Sequence, residues 1–499
     1  MENEKMNDIS QLQPSPRGYP VDQKDMILAL GAILCALCMV NVVFFGGFHL
    51  GFAVVSLALI GLAAIYLRVA GCRCGVYSTV LLILSGVIAA GYARSDDAFV
   101  KFVLLGFLFV GVSQALGIQS GQNRKLPGRF STLLDSFRTV FGYGFGRWSD
   151  AISGLVKGIQ SSGTVGKKTG GVVLGLLIAV PVLAVVVALL ISADAAFAGL
   201  IEQLPEFRFG EAVVTVLFGS FLAMILVSYL LTMRHRAAVA ATQPQRKGFG
   251  GLTINTVLAA LSLVYVVYLL SQLAYFVGGF SGILPEGYTM AEYARRGFFE
   301  MAVLCGINLA VMAVSMALVA KNPKAPLMTR LLCLFIGLVT LFFVASASAK
   351  MALYIQSYGL TRLRLLTEVI MLFLGVSTIV VCIWVFEPRL PYMKAVIVTA
   401  LLFGALVIWG DVDTVVAHYN VTAYQQGVLK TVDVPYLQEL NASSIPYLQA
   451  LTEDSDPIVA QQAAYAVALE KERNPILWED FRDWNLADWM AEKLLQEDK

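Results

Sequence analysis

The sequence predicts an all-α, polytopic transmembrane helix bundle of about eleven spans, with a small acidic helical module at its C-terminus. Three observations carry this reading. Of 499 residues, 58% are apolar and only 14% are charged, and the mean hydropathy is +0.73. Soluble domains average about 45–50% apolar and about 25% charged, so this chain lacks the charge to build a water-facing surface. Apolar windows of about 20 residues, the length a bilayer core of about 30 Å requires, recur along the chain, and basic residues gather in alternate loops. A soluble enzyme and a disordered chain are both excluded. A net charge of +2 leaves no electrostatic footprint for nucleic acid.

The first 25 residues are polar and read as a cytoplasmic tail. A first block of four spans, within 26–118, follows: Met26–Gly46, Phe48–Leu67, Val76–Ala93 and Ala98–Ile118, with a tight hairpin expected at Gly46–Gly47. The first apolar run is long enough to span, so it reads as a retained helix rather than a cleaved signal. A block of seven spans, within 171–410, comprises Gly171–Ser192, Ala212–Met233, Leu252–Phe276, Gly297–Ala320, Arg330–Ala352, Leu365–Phe386 and Met393–Gly410.

Orientation follows from Lys and Arg in the short loops. The stretch 119–170 carries Arg124, Lys125, Arg129, Arg138, Arg147, Lys157, Lys167 and Lys168. Loop 234–251 adds Arg234, Arg236, Arg246 and Lys247, and loop 321–329 adds Lys321 and Lys324. All three alternate correctly as cytoplasmic loops. The N-terminus is then cytoplasmic and, with eleven spans, the C-terminus extracytoplasmic. Trp384 and Trp409 fall at span ends, where aromatic belts form.

Two regions are not spans. In 119–170, apolar residues recur at Phe130, Leu133, Leu134, Phe137, Phe141, Trp148, Ile152, Leu155 and Ile159 with a basic opposite face. That pattern predicts an amphipathic helix lying on an anionic inner leaflet, with Trp148 at headgroup depth, and the glycines at 142, 144 and 146 break it in two. An ordinary linker with a few aromatics is the alternative. Residues 411–499 carry 16 Asp+Glu against 6 Lys+Arg, a net of −10, and repeat Pro-Tyr-Leu-Gln at 435–438 and 446–449. A helix opening at Asp454-Ser455-Asp456-Pro457 has a capping residue and a first-turn proline. Such a tail is small for an independent core, leans on the membrane domain, and suits docking of a protein partner.

Catalytic motifs are lacking: there is no Walker A, His-Glu-x-x-His or Gly-x-Ser-x-Gly sequence. His49, His235 and His418 lie in separate segments. Cys72 and Cys74 flank Arg73 in a short turn, but two thiols without further ligands make a poor metal site. No enzyme activity, metal or cofactor is therefore expected.

Charges within spans are costly in lipid and face the bundle interior or a cavity. Arg295, Arg296 and Glu300 open the eighth span, Lys350 closes the ninth, Arg362, Arg364 and Glu368 open the tenth, and Asp411 and Asp413 follow the eleventh. All share one outer level. The functional expectation is an outward-facing polar cavity, built by Arg295, Arg296, Glu300, Lys350, Arg362, Arg364 and Glu368, that binds or moves an anionic solute or lipid. The alternatives are snorkelling and salt bridges that lock the bundle, with Glu300 or Glu368 paired to Lys350 or an arginine, in a scaffold or sensor whose exported tail binds a partner. Asn41, Asn255, Gln272 and Asn308 read as interhelical hydrogen-bonding amides.

Four ordered motifs add a family resemblance: Ser192-Ala193-Asp194-Ala195-Ala196-Phe197, then Ala291 through Glu300, then Tyr358-Gly359-Leu360-Thr361-Arg362-Leu363-Arg364, then Val415-Val416-Ala417-His418-Tyr419-Asn420. Over roughly residues 170–450 the chain resembles the bacterial multi-span membrane family catalogued as domain of unknown function 4173. The resemblance implies a bacterial inner-membrane protein and brings no activity, substrate or catalytic residue with it.

Overall fold

The computed structural model describes residues 19–72, 74–121, 131–161, 209–235, 250–279, 298–319, 325–473 and 480–497, with isolated positions between 182 and 193. In chain order the helices are α1 (Gln23–Phe45), α2 (Leu50–Val69), α3 (Val76–Gly91), α4 (Ala98–Gln119), α5 (Ser131–Gly144), α6 (Trp148–Ser161), α7 (Phe209–His235), α8 (Gly251–Gly279), α9 (Phe298–Leu318), α10 (Leu327–Tyr358), α11 (Arg362–Phe386) and α12 (Tyr392–Gly410). The tail adds α13 (Val412–Gln425), α14 (Val434–Gln438), a 3-10 turn at Ala442–Ser444, α15 (Ile445–Leu451), α16 (Pro457–Arg473) and α17 (Leu486–Glu497). No strand occurs among the described residues. Nine of these helices are long and apolar enough to cross a membrane, so the chain is an all-α, multi-pass membrane protein. The third expected span, α3, is apolar but only 16 residues long, about 24 Å at 1.5 Å per residue. The expected span Gly171–Ser192 lies outside the described residues.

Local chemistry sets the helix ends. α1 opens on a reciprocal capping box, in which the Asp25 N–H donates to Asp22 Oδ1 at 3.0 Å and the Asp22 N–H donates to Asp25 Oδ2 at 2.9 Å. It closes at Gly46, and Gly47 turns the chain back at φ +72°, giving the expected hairpin into α2. α10 outruns its predicted end by two turns. At 32 residues it is about 48 Å long, so Lys350 lies inside the helix, about 12 Å short of its last residue. Asn41, Asn255 and Asn308 bond across helices as expected: Asn41 to Thr215 at 3.1 Å, Asn255 from Thr329 at 2.6 Å, and Asn308 to Thr340 at 2.9 Å. The Gln272 side chain lies outside the described set. Trp409 donates to the Val87 carbonyl at 2.9 Å, while Trp384 is buried on Tyr392, with ring centroids 4.1 Å apart.

The last span, α12, packs against α3 and α4, so the two blocks read from the sequence share one core. A second, smaller core joins α1, α2, α6 and α7 through Leu28, Ala32, Leu67, Ala151, Leu231 and Met233. Alternating turns collect at two ends. One end holds Asp22, Cys74, Gln119 and His235, linked by the Asp25–His235 and Gln119–Cys74 contacts. The other holds the α1–α2, α3–α4 and α10–α11 turns together with the tail. Asp22 and the tail are thus at opposite ends of the bundle.

The segment expected to lie flat on a membrane surface does something else. It does form two amphipathic helices, broken near Gly144–Gly146. But α5 inserts between α4 and α7: Gln114 donates to Ser136 at 2.6 Å, Phe137 sits 5.0 Å from Phe109, and Phe145 sits 6.1 Å from Phe221. Phe109 and Phe221 are the midpoints of their helices. α6 then returns, placing Gly154 and Gly158 against Tyr19 and Val21. The pair is a re-entrant hairpin whose exposed Phe137, Phe141, Phe145 and Trp148 present apolar surface at mid-bundle depth. In a variant with Trp148 as its only tryptophan, lipids brominated in mid-chain should quench its fluorescence strongly and aqueous iodide weakly. The reverse ranking would place it at headgroup depth.

The tail leans on the bundle and caps it. The N–H groups of Leu50 and Gly51, in the first turn of α2, donate to the carbonyls of Trp484 at 3.0 Å and Arg482 at 3.3 Å, satisfying donors that a helix start leaves orphaned. Leu486 N–H donates to the Ala93 carbonyl at 2.8 Å, just past α3.

Candidate functional site

The sequence-predicted cluster divides on inspection. Arg295 and Arg296 lie outside the described residues. Glu300 is exposed at the start of α9, and Lys350 is half-buried in α10. Arg364 stacks over the Tyr354 ring at 4.0 Å and donates to the carbonyls of Tyr358 and Gly359, closing the end of α10 as a cation should. Glu368 is half-buried, with one carboxylate oxygen lacking a hydrogen-bond partner. Neither Glu300 nor Glu368 pairs with Arg362 or Arg364. Arg362 meets Asp413, with Asp411 at the adjoining helix break, whereas Arg364 turns onto Tyr354 and Lys350 lies about 12 Å short of the end of its helix.

A different set converges at the tail end. Arg362 grips Asp413 through two nitrogens, Nη2 donating to Oδ2 at 2.6 Å, and lies 4.0 Å from Asp97 Oδ2. Asp97 caps α4, accepting from Val100 N–H at 3.0 Å. One turn on, Lys101 is only 1% exposed, and its Nζ donates to His49 Nδ1 at 3.0 Å. Nε2 of His49 lies 4.0 Å from Asp96 Oδ1. Asn485 points Nδ2 at Asp488 Oδ2 at 2.6 Å and at His49 Nδ1 at 3.3 Å. Asp411 is 4% exposed with φ +52°, an unusual conformation for a non-glycine residue, at the break between α12 and α13. Its Oδ2 accepts from Thr414 at 2.6 Å and Ser443 at 2.8 Å. Oδ1 of Asp411 and Oδ2 of Asp97 are buried without a hydrogen bond.

Acid therefore dominates: Asp96, Asp97, Asp411, Asp413 and Asp488 face Lys101 and Arg362. Burial pushes Asp488 up to about 7, helped by the field of Asp96 and opposed by Asn485 and Lys101. Burial likewise lifts Asp413 to about 6 against its bonds from Arg362, and raises Asp96. Burial and Lys101 together hold His49 down at about 4. Crowded carboxylates out of water keep protons that a solvated carboxylate would lose. Apart from Arg362, Asp411 and Asp413, this cluster escaped sequence reasoning. The signal was present in Ser95-Asp96-Asp97 followed by Lys101 in an apolar run, which reads as an ordinary helix cap.

Two quoted motifs meet beside it. Asn420 accepts from Leu360 N–H at 2.7 Å and donates to the Leu360 carbonyl at 2.8 Å, pinning the α10–α11 turn onto α13. A cleft of about 690 Å³ opens there, lined by Gln356, His418, Tyr419, Thr422 and Gln426 among apolar neighbours.

The opposite end carries a compact ion cluster. Asp25 is fully buried and accepts from Tyr66 at 2.5 Å and from Arg234, and lies 2.9 Å from His235 Nε2. Arg234 also holds the Asp22 carboxyl well below its usual range. Nearby, burial raises the Cys74 thiol, but bonds with Thr79, Arg68, Ser78 and Gln119 outweigh it and bring it down to about 7. Among the described residues no group of His, Cys, Asp or Glu could hold a metal, and the Cys72–Cys74 turn adds none. At neutral pH Cys74 should react with maleimide first among the seven cysteines, and Gln119→Leu should slow it several-fold.

No curated protein and no solved structure matches the chain. The family described as a domain of unknown function (DUF4153) matches residues 79–451, from within α3 to the end of α15. This overturns the resemblance to domain of unknown function 4173, whose motifs were read over an overlapping stretch. Because the match covers most of the chain, the protein belongs to the DUF4153 family.

Proposed function

We propose that this chain is a proton-responsive sensor in a bacterial inner membrane, with Asp22 at the cytoplasmic end and the tail outside, where external acidity controls how firmly the tail is held. One observation carries the reading: five carboxylates face two fixed cations where α2, α4, α11 and the tail meet, with Asp97, Asp411, Asp413, Asp488 and Lys101 buried and Asp96 and Arg362 half-buried. A cluster of that sign suits protons better than an anion.

The direction follows from linkage. A carboxylate whose folded value is raised binds more protons docked than released, so docking tightens as pH falls through about 7 for Asp488 and about 6 for Asp413. Below each of these values the gain is about tenfold in the docking equilibrium per pH unit and group. His49 acts oppositely: its depressed value favours docking while it is neutral, and that contribution fades as pH falls from about 6.5 toward 4. Below pH 6 the raised carboxylates outweigh the one imidazole, so docking keeps tightening as pH falls, down to about pH 4.

Spin labels at Gln496 and Val54 test this. A single compact distance distribution is expected near pH 6 and a broad, longer component near pH 8.5, with Asp488→Asn compact at both. Identical wild-type distributions at the two pH values would defeat the proposal. A second reading, ligand binding or transport, draws support from the cleft beside His418; its lining carries no Lys, Arg, Asp or Glu, which favours an uncharged ligand over an anion.

A further inference from the structure

An apolar crevice of about 200 Å³ lies between α1, α2, α4 and α7; it begins about one helical turn from His49 and Lys101 and shares no residue with the carboxylate cluster. Its wall runs from Phe52 to Ala63 on α2 and from Leu105 to Leu116 on α4, completed by Met39 and Leu230. Each stretch covers eleven residue steps on helices that run in the same direction, so each is about 16 Å long. That is close to the hydrocarbon depth of one leaflet, half of about 30 Å.

The crevice lies within the membrane-crossing windows, and its walls are almost wholly hydrocarbon. Water is a poor occupant, since apolar cavities of comparable size stay dry. An empty crevice forfeits dispersion contacts along four helices, and inside a bilayer such contacts are a main source of helix association. The location sharpens the point. α1 and α2 precede the stretch matched by the family, whereas α4 and α7 fall within it. The crevice therefore sits on the seam between the family region and the hairpin that precedes it.

We infer that this crevice is a binding site for one lipid acyl chain, which fills the seam between the α1–α2 hairpin and the family region. The occupant is hydrocarbon from the surrounding bilayer, held longer than lipid on the open faces of α2 and α4. Filling the space from within by Ser56→Leu with Ala63→Leu should replace it.

The test uses full-length protein in nanodiscs of phosphatidylethanolamine and phosphatidylglycerol, doped with a phospholipid carrying a diazirine at mid-chain. After a chase with unlabelled lipid, photolysis should mark peptides covering 52–63 and 105–116, while labelling near the lipid-exposed Phe99 and Ile65 is chased away. The filled variant should lose the retained label at least tenfold while keeping its elution volume. Because that variant could misfold, native mass spectrometry of the wild type gives an independent reading: one retained phospholipid per chain is expected. No chase-resistant label in the crevice peptides, equal label in a folded filled variant, or no retained lipid would each overturn the inference.

Discussion

Asp25→Ala should be among the most damaging single substitutions in the chain, lowering stability by about 3–5 kcal/mol, the usual cost of breaking a buried ion pair from one side. Asp25 is 0% exposed, and the change strands several groups at once: the Tyr66 hydroxyl, the Arg234 guanidinium and His235 all lose their shared acceptor. Because these groups tie α1 and α2 to the end of α7, the smaller core should loosen first. Thermal unfolding monitored by labels on α1 and α7 is the readout. Arg234→Met in the same chain should recover part of the loss, since replacing both partners removes the uncompensated charge. A fall of under 1 kcal/mol for the single variant would mean that the cluster is solvated.

The second large effect concerns the tail. Gly46 has no room for a side chain, since an added Cβ would stand 2.4 Å from Arg482 Cβ and 3.0 Å from its carbonyl carbon. Gly46→Ala should therefore push the 482–484 strip off the start of α2, breaking its bonds to Leu50 and Gly51. Overpacking of this kind costs about 1–3 kcal/mol. It should also free Arg482 from Asn41 at 3.1 Å and Glu211 at 3.2 Å. Protease cleavage after Arg482 should become rapid in Gly46→Ala while the spans stay intact. Resistance equal to wild type would show that the strip accommodates the methyl group.

Most of the architecture was legible because the bilayer imposes one rule: long apolar runs must be helices. The hairpin at Gly46–Gly47, the cross-helix amides and the tail's short helices all follow from local patterns of that kind. Two things did not. The α5–α6 pair carries the same amphipathic signature whether it lies on a surface or inserts between α4 and α7, because the tilted packing of Phe137 and Phe141 against Phe109 exists only in three dimensions. The carboxylate cluster unites His49, Asp97, Arg362 and Asp488, which are spread over most of the chain's length, and depth along a helix says nothing about which way each side chain faces. Arg364 and Asp413 were placed at one level; only Asp413 turned inward to meet Arg362.

The central claim is that protonation of the buried carboxylates strengthens attachment of the tail. Amide hydrogen exchange over residues 480–497, corrected for intrinsic pH dependence and followed from about pH 6 to about pH 8.5, tests it most directly. Protection should fall several-fold as pH rises through about 7, the Leu486 amide reporting loss of its bond to Ala93, and Asp488→Asn should flatten the profile at its protected level. Protection that stays constant or increases with pH, or an Asp488→Asn profile identical to wild type, would contradict the account.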